Sequence, residues 1–450
     1  MQKWKSWRFL TPARILVIGF ASLIFLGGIL LSLPIATKSG VALPFADALF
    51  TATSAVCVTG LVVVDTGTYF NMFGQVVILF LIQIGGLGFM TLATFVTIMT
   101  GRRIGLKERL LIQESLNVNT LEGLIRLSRN VVLITLAIEF VFASVLAARF
   151  SMEMPPGQAI YYGIFHAISS YCNAGFDLFG DFKSVSDYVG DPTVNVALMC
   201  LIVLGGLGFT VMVDLGRRLT TQKPYRLSLH TKLVLIATGT LLTVGTLVYY
   251  GLENGNQETI GTLSEGKKWL ASLFASTTAR TAGYATINYQ ELTEGGSLWT
   301  MILMFIGASP GSTGGGIKTI TALVILLFVW TVISNKDHTV VFKRSITPRL
   351  IYKALVISVM AAMTIGLATL LLTVTEDKEF VRLLFETTSA FSTTGLSMNV
   401  TPDLTPAGRL VIMVMMYIGR LGPLTIALAL AARQPDKANL KYPEENLFVG

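Results

Sequence analysis

The sequence predicts an all-α integral membrane protein. Four repeated units, each an outer helix, a half-helix with a re-entrant pore loop and an inner helix, surround one central pore. Three observations carry this reading. Of 450 residues 52% are apolar and only 13% charged, and the mean hydropathy is +0.67. That charged share is about half the soluble norm and leaves too few polar side chains to cover a water-facing surface. Eight stretches are long enough to cross about 30 Å of hydrocarbon, which takes roughly 20 apolar residues. Between the members of each successive pair lies an apolar segment too short to cross, and a glycine follows each such segment within three to five residues.

The eight spans run near Ile15–Leu33, Phe73–Thr100, Val131–Ala148, Val194–Val213, Leu233–Tyr250, Leu298–Ile333, Ala354–Val374 and Leu410–Ala432. Lys3, Lys5 and Arg8 precede the first, as in a signal peptide. Its length, the lack of a small-residue cleavage site and the pattern it begins mark it as a retained span. An even number of spans puts both termini on one side. Residues 1–14, 101–129, 216–232, 334–353 and the tail after 432 hold 23 of the 34 Lys and Arg, which makes these segments cytoplasmic by the positive-inside rule. The opposite face is net acidic and would concentrate cations.

The short segments are Pro44–Cys57, Gly157–Tyr171, Lys268–Thr278 and Phe380–Ser392, lengths that suit re-entrant or buried helices. The glycines that follow are Gly60, Gly175, Gly283 and Gly395, spaced by 115, 108 and 112 residues. Phe50, Phe165 and Phe385 lie ten residues before their glycines, and Phe274 lies nine before Gly283. Each second span carries a further glycine (Gly85, Gly205, Gly307, Gly419), and Gly85–Phe89 and Gly205–Phe209 are the same five-residue string. A repeat of about 110 residues fixes the architecture: repeats over 1–100, 101–215 (with a cytoplasmic linker), 216–335 (with a broken inner helix) and 336–432, then a cytoplasmic tail over 433–450.

A re-entrant segment ends inside the membrane, where non-helical backbone survives only if it is buried in protein or lines a cavity. Four such turns can surround one axis and offer their carbonyls to a bare cation. Glycine suits the strained turn. The turns are Val58-Thr59-Gly60, Asn173-Ala174-Gly175, Thr281-Ala282-Gly283 and Thr393-Thr394-Gly395. A second irregular run, Gly307-Ala308-Ser309-Pro310-Gly311-Ser312-Thr313-Gly314-Gly315-Gly316, interrupts the sixth span. Gly and Pro cannot sustain a helix there, and the run reads as a flexible loop below the turns. It nearly matches a phosphate-binding P-loop through Lys318 and Thr319, but Ile317 intrudes and no strand precedes it. Arg420 lies mid-span, where charge is costly and faces an interior path or a buried partner such as Glu139 or carbonyls. Cys57 and Cys172, each three residues before a turn glycine, read as small packing residues. With Cys200 they form no disulfide framework, and the distant His166, His230 and His338 form no metal set.

These strings, with Asp191-Pro-Thr-Val-Asn195, resemble the Trk/Ktr/HKT superfamily of potassium transporters over essentially the whole chain. They are most similar to the membrane subunit of bacterial Ktr systems, KtrB/KtrD type. The first hairpin begins near residue 15, without the additional one usual in Trk subunits. Gly60 stands where plant relatives often have serine, and Tyr284 stands where Phe is more usual, a departure of small consequence. The resemblance implies potassium at the carbonyls of the twelve turn residues, and a gate formed by the 307–316 loop and Arg420. It also implies a homodimer in the plasma membrane on a cytoplasmic ring of nucleotide-binding regulatory subunits, KtrA/KtrC type. ATP or ADP would bind that ring rather than this chain, and sodium would stimulate uptake. The rival readings are a secondary transporter, which more often has inverted repeats, and an intramembrane enzyme, for which no catalytic set is found.

Overall fold

The computed structural model describes residues 11–100, 105–115, 123–220 and 226–430. The basic residues Lys3, Lys5 and Arg8 and the tail over 433–450 lie outside these.

Each unit opens with a long outer helix: Pro12–Ser32, Leu124–Phe150, Leu229–Glu253 and Pro348–Thr375. At 1.5 Å per residue these 21 to 28 residues reach across about 30 Å of hydrocarbon. They bury one stripe and leave the rest apolar and exposed; Leu26, Phe140, Leu247 and Met363 are each more than half exposed. In water this would be a liability, whereas against lipid tails it is the stable arrangement. The half-helices follow at Phe45–Val56, Pro156–Tyr171, Glu265–Thr278 and Phe380–Ser392. Their 12 to 16 residues stop partway across the bilayer. Phe50, Phe165, Phe274 and Phe385 are fully buried at matched positions and anchor each half-helix in the interior.

The inner helices depart from the expectation of continuous spans. Met72–Leu87, Pro192–Gly206 and Pro406–Leu421 each end at a glycine and turn by 92°, 101° and 94° into Phe89–Met99, the helix beginning at Phe209 and Pro423–Leu430. The corner glycines Gly88, Gly208 and Gly422 have φ of +79°, +96° and +85°, a region that side chains with a Cβ avoid. Hydropathy is blind to the corner because both arms are apolar. In the third unit the inner helix is Glu294–Phe305, and its continuation Thr319–Ile333 begins only after an irregular loop. Among the described residues the all-α expectation has one small sheet as its exception: Val340–Val341 pairs with Arg344–Ser345 in a two-residue hairpin between the third and fourth units.

Every inner helix starts on a side-chain cap. Asn71, Asp191, Thr293 and Thr405 accept hydrogen bonds from the free amides of the first turn. The same caps tie each inner helix to its own outer helix or to the segment that follows it. Asn71 donates to Ile35 O and Thr37 O at 2.7 and 3.1 Å, and Asp191 pairs with Arg149 at 2.5 Å. Thr293 donates to Glu253, and Thr405 donates to Glu376 at 2.5 Å. An ion pair between Asp47 of the first half-helix and Arg409 of the fourth inner helix joins the first unit to the last.

Candidate ion pathway

The four half-helices end with their C-termini converging on one ring. In each turn the residue two before the glycine is also left-handed: Val58, Asn173, Thr281 and Thr393 have φ of +52°, +57°, +74° and +51°. Alternating the sign of φ along three residues turns successive carbonyls toward the same side. A Cβ added to Gly60 would lie 2.5 Å from Ala174 O, and one on Gly175 would lie 2.6 Å from Ala282 O. One on Gly283 would strike Thr394 O, and one on Gly395 would strike Thr59 O. The units therefore follow one another around the ring in chain order, and the fourth closes on the first. Any side chain on a ring glycine would occupy the carbonyl position of the next unit.

Local hydrogen bonds hold the turns in this strained shape. Ser54 and Ser389 accept from the amides of Gly60 and Gly395 at 3.0 and 3.1 Å. Ser169 and Thr278 donate instead to the carbonyls of Phe176 and Tyr284, one residue beyond their glycines, at 2.8 and 2.7 Å. These short hydroxyl residues at the ends of the half-helices are the small polar residues that the sequence shows there.

On one side of the ring lies a cavity of about 300 Å³, lined by all four glycines and by residues that follow them. Asp65 and Asp177 line it. Asp65 accepts from the amide and hydroxyl of Thr68 at 2.6 and 2.7 Å, and from the Phe182 amide at 2.9 Å. It thus fixes the second unit's loop against the first.

On the other side lies the 307–316 loop, against residues that precede the glycines. Thr313 Oγ1 donates to Tyr171 O at 3.1 Å in the second unit. Gly314 packs on the Thr281 hydroxyl of the third, and Gly315 and Gly316 pack on Thr393 and Ser392 of the fourth. The loop is stitched to the second unit's corner: Ser309 N to Gly206 O at 3.0 Å, Thr313 N to Gly205 O at 3.2 Å, and Phe209 N to Gly311 O at 2.7 Å. Ala308, Ser309 and Thr313 are fully buried. Arg420 completes the circuit. Its guanidinium donates to Thr313 O in the loop and to Gly85 O and Gly86 O at the first unit's corner, the last at 3.1 Å. Loop and arginine together contact all four units beneath the ring.

Several sequence expectations are sharpened here. Arg420 is held by carbonyls, not by Glu139. The Glu139 carboxylate lies elsewhere, accepting from the Gln83 amide at 3.2 Å, while Gln83 accepts from Cys172 Sγ at 3.4 Å. Lys318 turns back on the loop and donates to Gly314 O at 2.7 Å. The spacing of Gly307 matches Gly85, Gly205 and Gly419, but its packing does not. A Cβ on each of those three would strike the carbonyl of Val56, Tyr171 or Phe391, whereas Gly307 opens the loop and faces Gly315. Tyr284 is not inconsequential, since its hydroxyl donates to Phe176 O across the boundary between the second and third units. Sequence reading missed Gln83 and the corner glycines. The third-position glycine after Gly85, Gly205 and Gly419 was the available signal. Among the described residues no three His, Cys, Asp or Glu gather as a metal site.

The comparisons with known proteins agree with this architecture. A family model described as "TrkH: Cation transport protein" matches residues 11–442. The chain is 45% identical to the Ktr system potassium uptake protein B of Bacillus subtilis, over 99% of this chain and 98% of that one. It is 41% identical to the protein of that name from Vibrio alginolyticus, over 97% and 94%. It is 38% identical to the potassium/sodium uptake protein NtpJ of Enterococcus hirae, over 98% of each. The crystal structure of the potassium transporter TrkH from Vibrio parahaemolyticus superposes with a TM-score of 0.72 at 19% identity, over 93% of this chain and 84% of that one. Fold and ring define a multi-pass membrane protein of the four-repeat, pore-loop class. The chain belongs to the TrkH family of cation transport proteins, and within it to the KtrB/KtrD type of membrane subunit.

Proposed function

We propose that this chain carries potassium inward across the plasma membrane. The ion would leave water in the acidic cavity, pass the carbonyls of Val58–Gly60, Asn173–Gly175, Thr281–Gly283 and Thr393–Gly395, and be held or released by residues 307–316 with Arg420. The observation that supports this best is the ring, in which four glycines each abut a carbonyl of the next unit. Carbonyl oxygens so gathered can replace an ion's hydration shell, and no other constellation among the described residues suggests chemistry on a substrate. The loop supports the gate reading because irregular backbone at that depth must line or fill a cavity. The names of the relatives support potassium as cargo, and that of NtpJ supports a role for sodium. As a Ktr-type subunit the chain would work as a homodimer, with both termini cytoplasmic, on a ring of nucleotide-binding KtrA/KtrC-type subunits that carry any ATP or ADP.

The experiment is growth of a potassium-uptake-deficient bacterium at low potassium, with and without a regulatory subunit. Restored growth that needs the regulatory subunit supports the whole reading. No growth in either case, with the protein present in the membrane, overturns it.

A further inference from the structure

The four turns are not equivalent one residue beyond their glycines. Leu61, Phe176 and Leu396 occupy that position in units one, two and four, and Tyr284 occupies it in unit three. Tyr284 is fully buried, and its hydroxyl donates to Phe176 O at 3.0 Å. Phe176 is the equivalent residue of the preceding unit. The same carbonyl accepts from Ser169 Oγ, within its own unit, at 2.8 Å. Both lone pairs of Phe176 O are thereby occupied. Two residues before the glycines, the Asn173 amide and the Thr281 hydroxyl make a second link between these units at 3.1 Å. Units two and three are thus fastened on both sides of the ring plane, above it by Tyr284 and below it by Asn173 with Thr281.

We infer that the Tyr284 hydroxyl is a selectivity strut: by clamping Phe176 O it fixes the separation of the second and third turns, and so the width of the ring. This rests on the reading of the ring as the ion filter. A buried hydrogen bond between neutral groups is short and directional. This one spans two chain segments that nothing covalent joins nearby. Without it the Gly175 and Gly283 backbones can part. A wider ring holds the smaller, more strongly hydrated ion no better, but it lets either ion pass with more of its water, which erodes discrimination. Clamping also keeps Phe176 O turned away from the path, so that the ring carbonyls alone meet the ion. The strut is a positioning group and does not itself touch the ion.

The test uses the full chain in proteoliposomes with potassium, rubidium and sodium as the probes. Four proteins are compared: wild type, Tyr284→Phe, Tyr249→Phe and Gly60→Ser. Tyr284→Phe removes one oxygen and keeps the ring, and Phe176 O keeps its bond to Ser169. The expected result is a potassium-over-sodium flux ratio lowered about three- to tenfold, the factor that one such bond is worth, with the melting temperature within a few degrees of wild type. Tyr249→Phe, which removes an equally buried phenol oxygen bonded to Thr300 at 2.7 Å between the outer and inner helices of the third unit, should leave the ratio near wild type. Three results overturn the strut: a Tyr284→Phe ratio equal to wild type while Gly60→Ser lowers it; equal losses in Tyr284→Phe and Tyr249→Phe, which would make the loss of any buried phenol hydrogen bond the cause; or a lower melting temperature with the ratio intact. If Gly60→Ser also leaves the ratio unchanged, the filter reading itself falls and takes the strut with it.

Discussion

Among the described residues Arg420 has no acid within reach, and its guanidinium is held by three backbone carbonyls from two units. It stays charged at any accessible pH. A potassium ion 4 Å away would meet about 4 kcal/mol of repulsion at an effective dielectric near 20. The carbonyls around it offset much of that. If about 1.4 kcal/mol remains, Arg420→Ala should raise inward flux per folded protein about tenfold. The freed carbonyls cost about 1 to 3 kcal/mol each where no water reaches them, so the melting temperature should fall as well. Flux and melting are measured on one preparation, and a destabilised variant with no gain in flux would sink the pathway role. Gly60→Ser is the sharper case. Gly60 has φ of +92° and no room for a Cβ beside Ala174 O. The substitution should widen one quarter of the ring and cut potassium-over-sodium selectivity about tenfold or more, read as competing fluxes. Neither partner set could be read from the sequence, because the partners are main-chain carbonyls and carry no letter of their own.

At the level of elements, the loop between Phe305 and Thr319 is held by the second unit's corner, the turns above it and Arg420. Deleting Ser309–Gly315 should raise basal cation flux and weaken its dependence on regulatory subunits, measured in proteoliposomes with and without them. A folded deletion with wild-type flux would place the gate elsewhere. Gly208→Ala probes the same element from its other side. Gly208 has φ of +96°, and a Cβ there would lie 2.5 Å from Pro310 O. Left-handed backbone costs an alanine about 1 to 2 kcal/mol, so the corner and the loop should loosen together, with higher basal flux and a lower melting temperature. The half-helices were legible to within a few residues, since their short apolar lengths and glycine endings are local features. The inner-helix corners were not. Phe73–Thr100 is apolar on both sides of Gly88, and only the packing of neighbouring units decides that the chain turns there.

For the molecule as a whole, the order of units around the ring follows from the repeat, because four units of one orientation on a single chain close most simply in sequence. What holds the closure was less legible. Asp47 and Arg409 lie 362 residues apart, and each looks unremarkable in its own segment. Both are largely buried, so their pair is screened less than a surface pair. Asp47→Asn should lower the melting temperature by several degrees, corresponding to about 1 to 2 kcal/mol, while leaving ion selectivity near wild type. A changed selectivity with unchanged melting would mean that the pair acts on the ring rather than on closure.

Joining four quarters of a ring in one polypeptide has a consequence for how such a protein can vary. In a channel assembled from four identical chains, a single codon change is felt four times, and most changes near the axis are then intolerable. Here each quadrant answers to its own codon. One quadrant can carry the irregular segment and a phenol and another the guanidinium, and the others are spared. Broken symmetry is therefore cheap to acquire in this fold, and duplicated segments that began alike can specialise one position at a time.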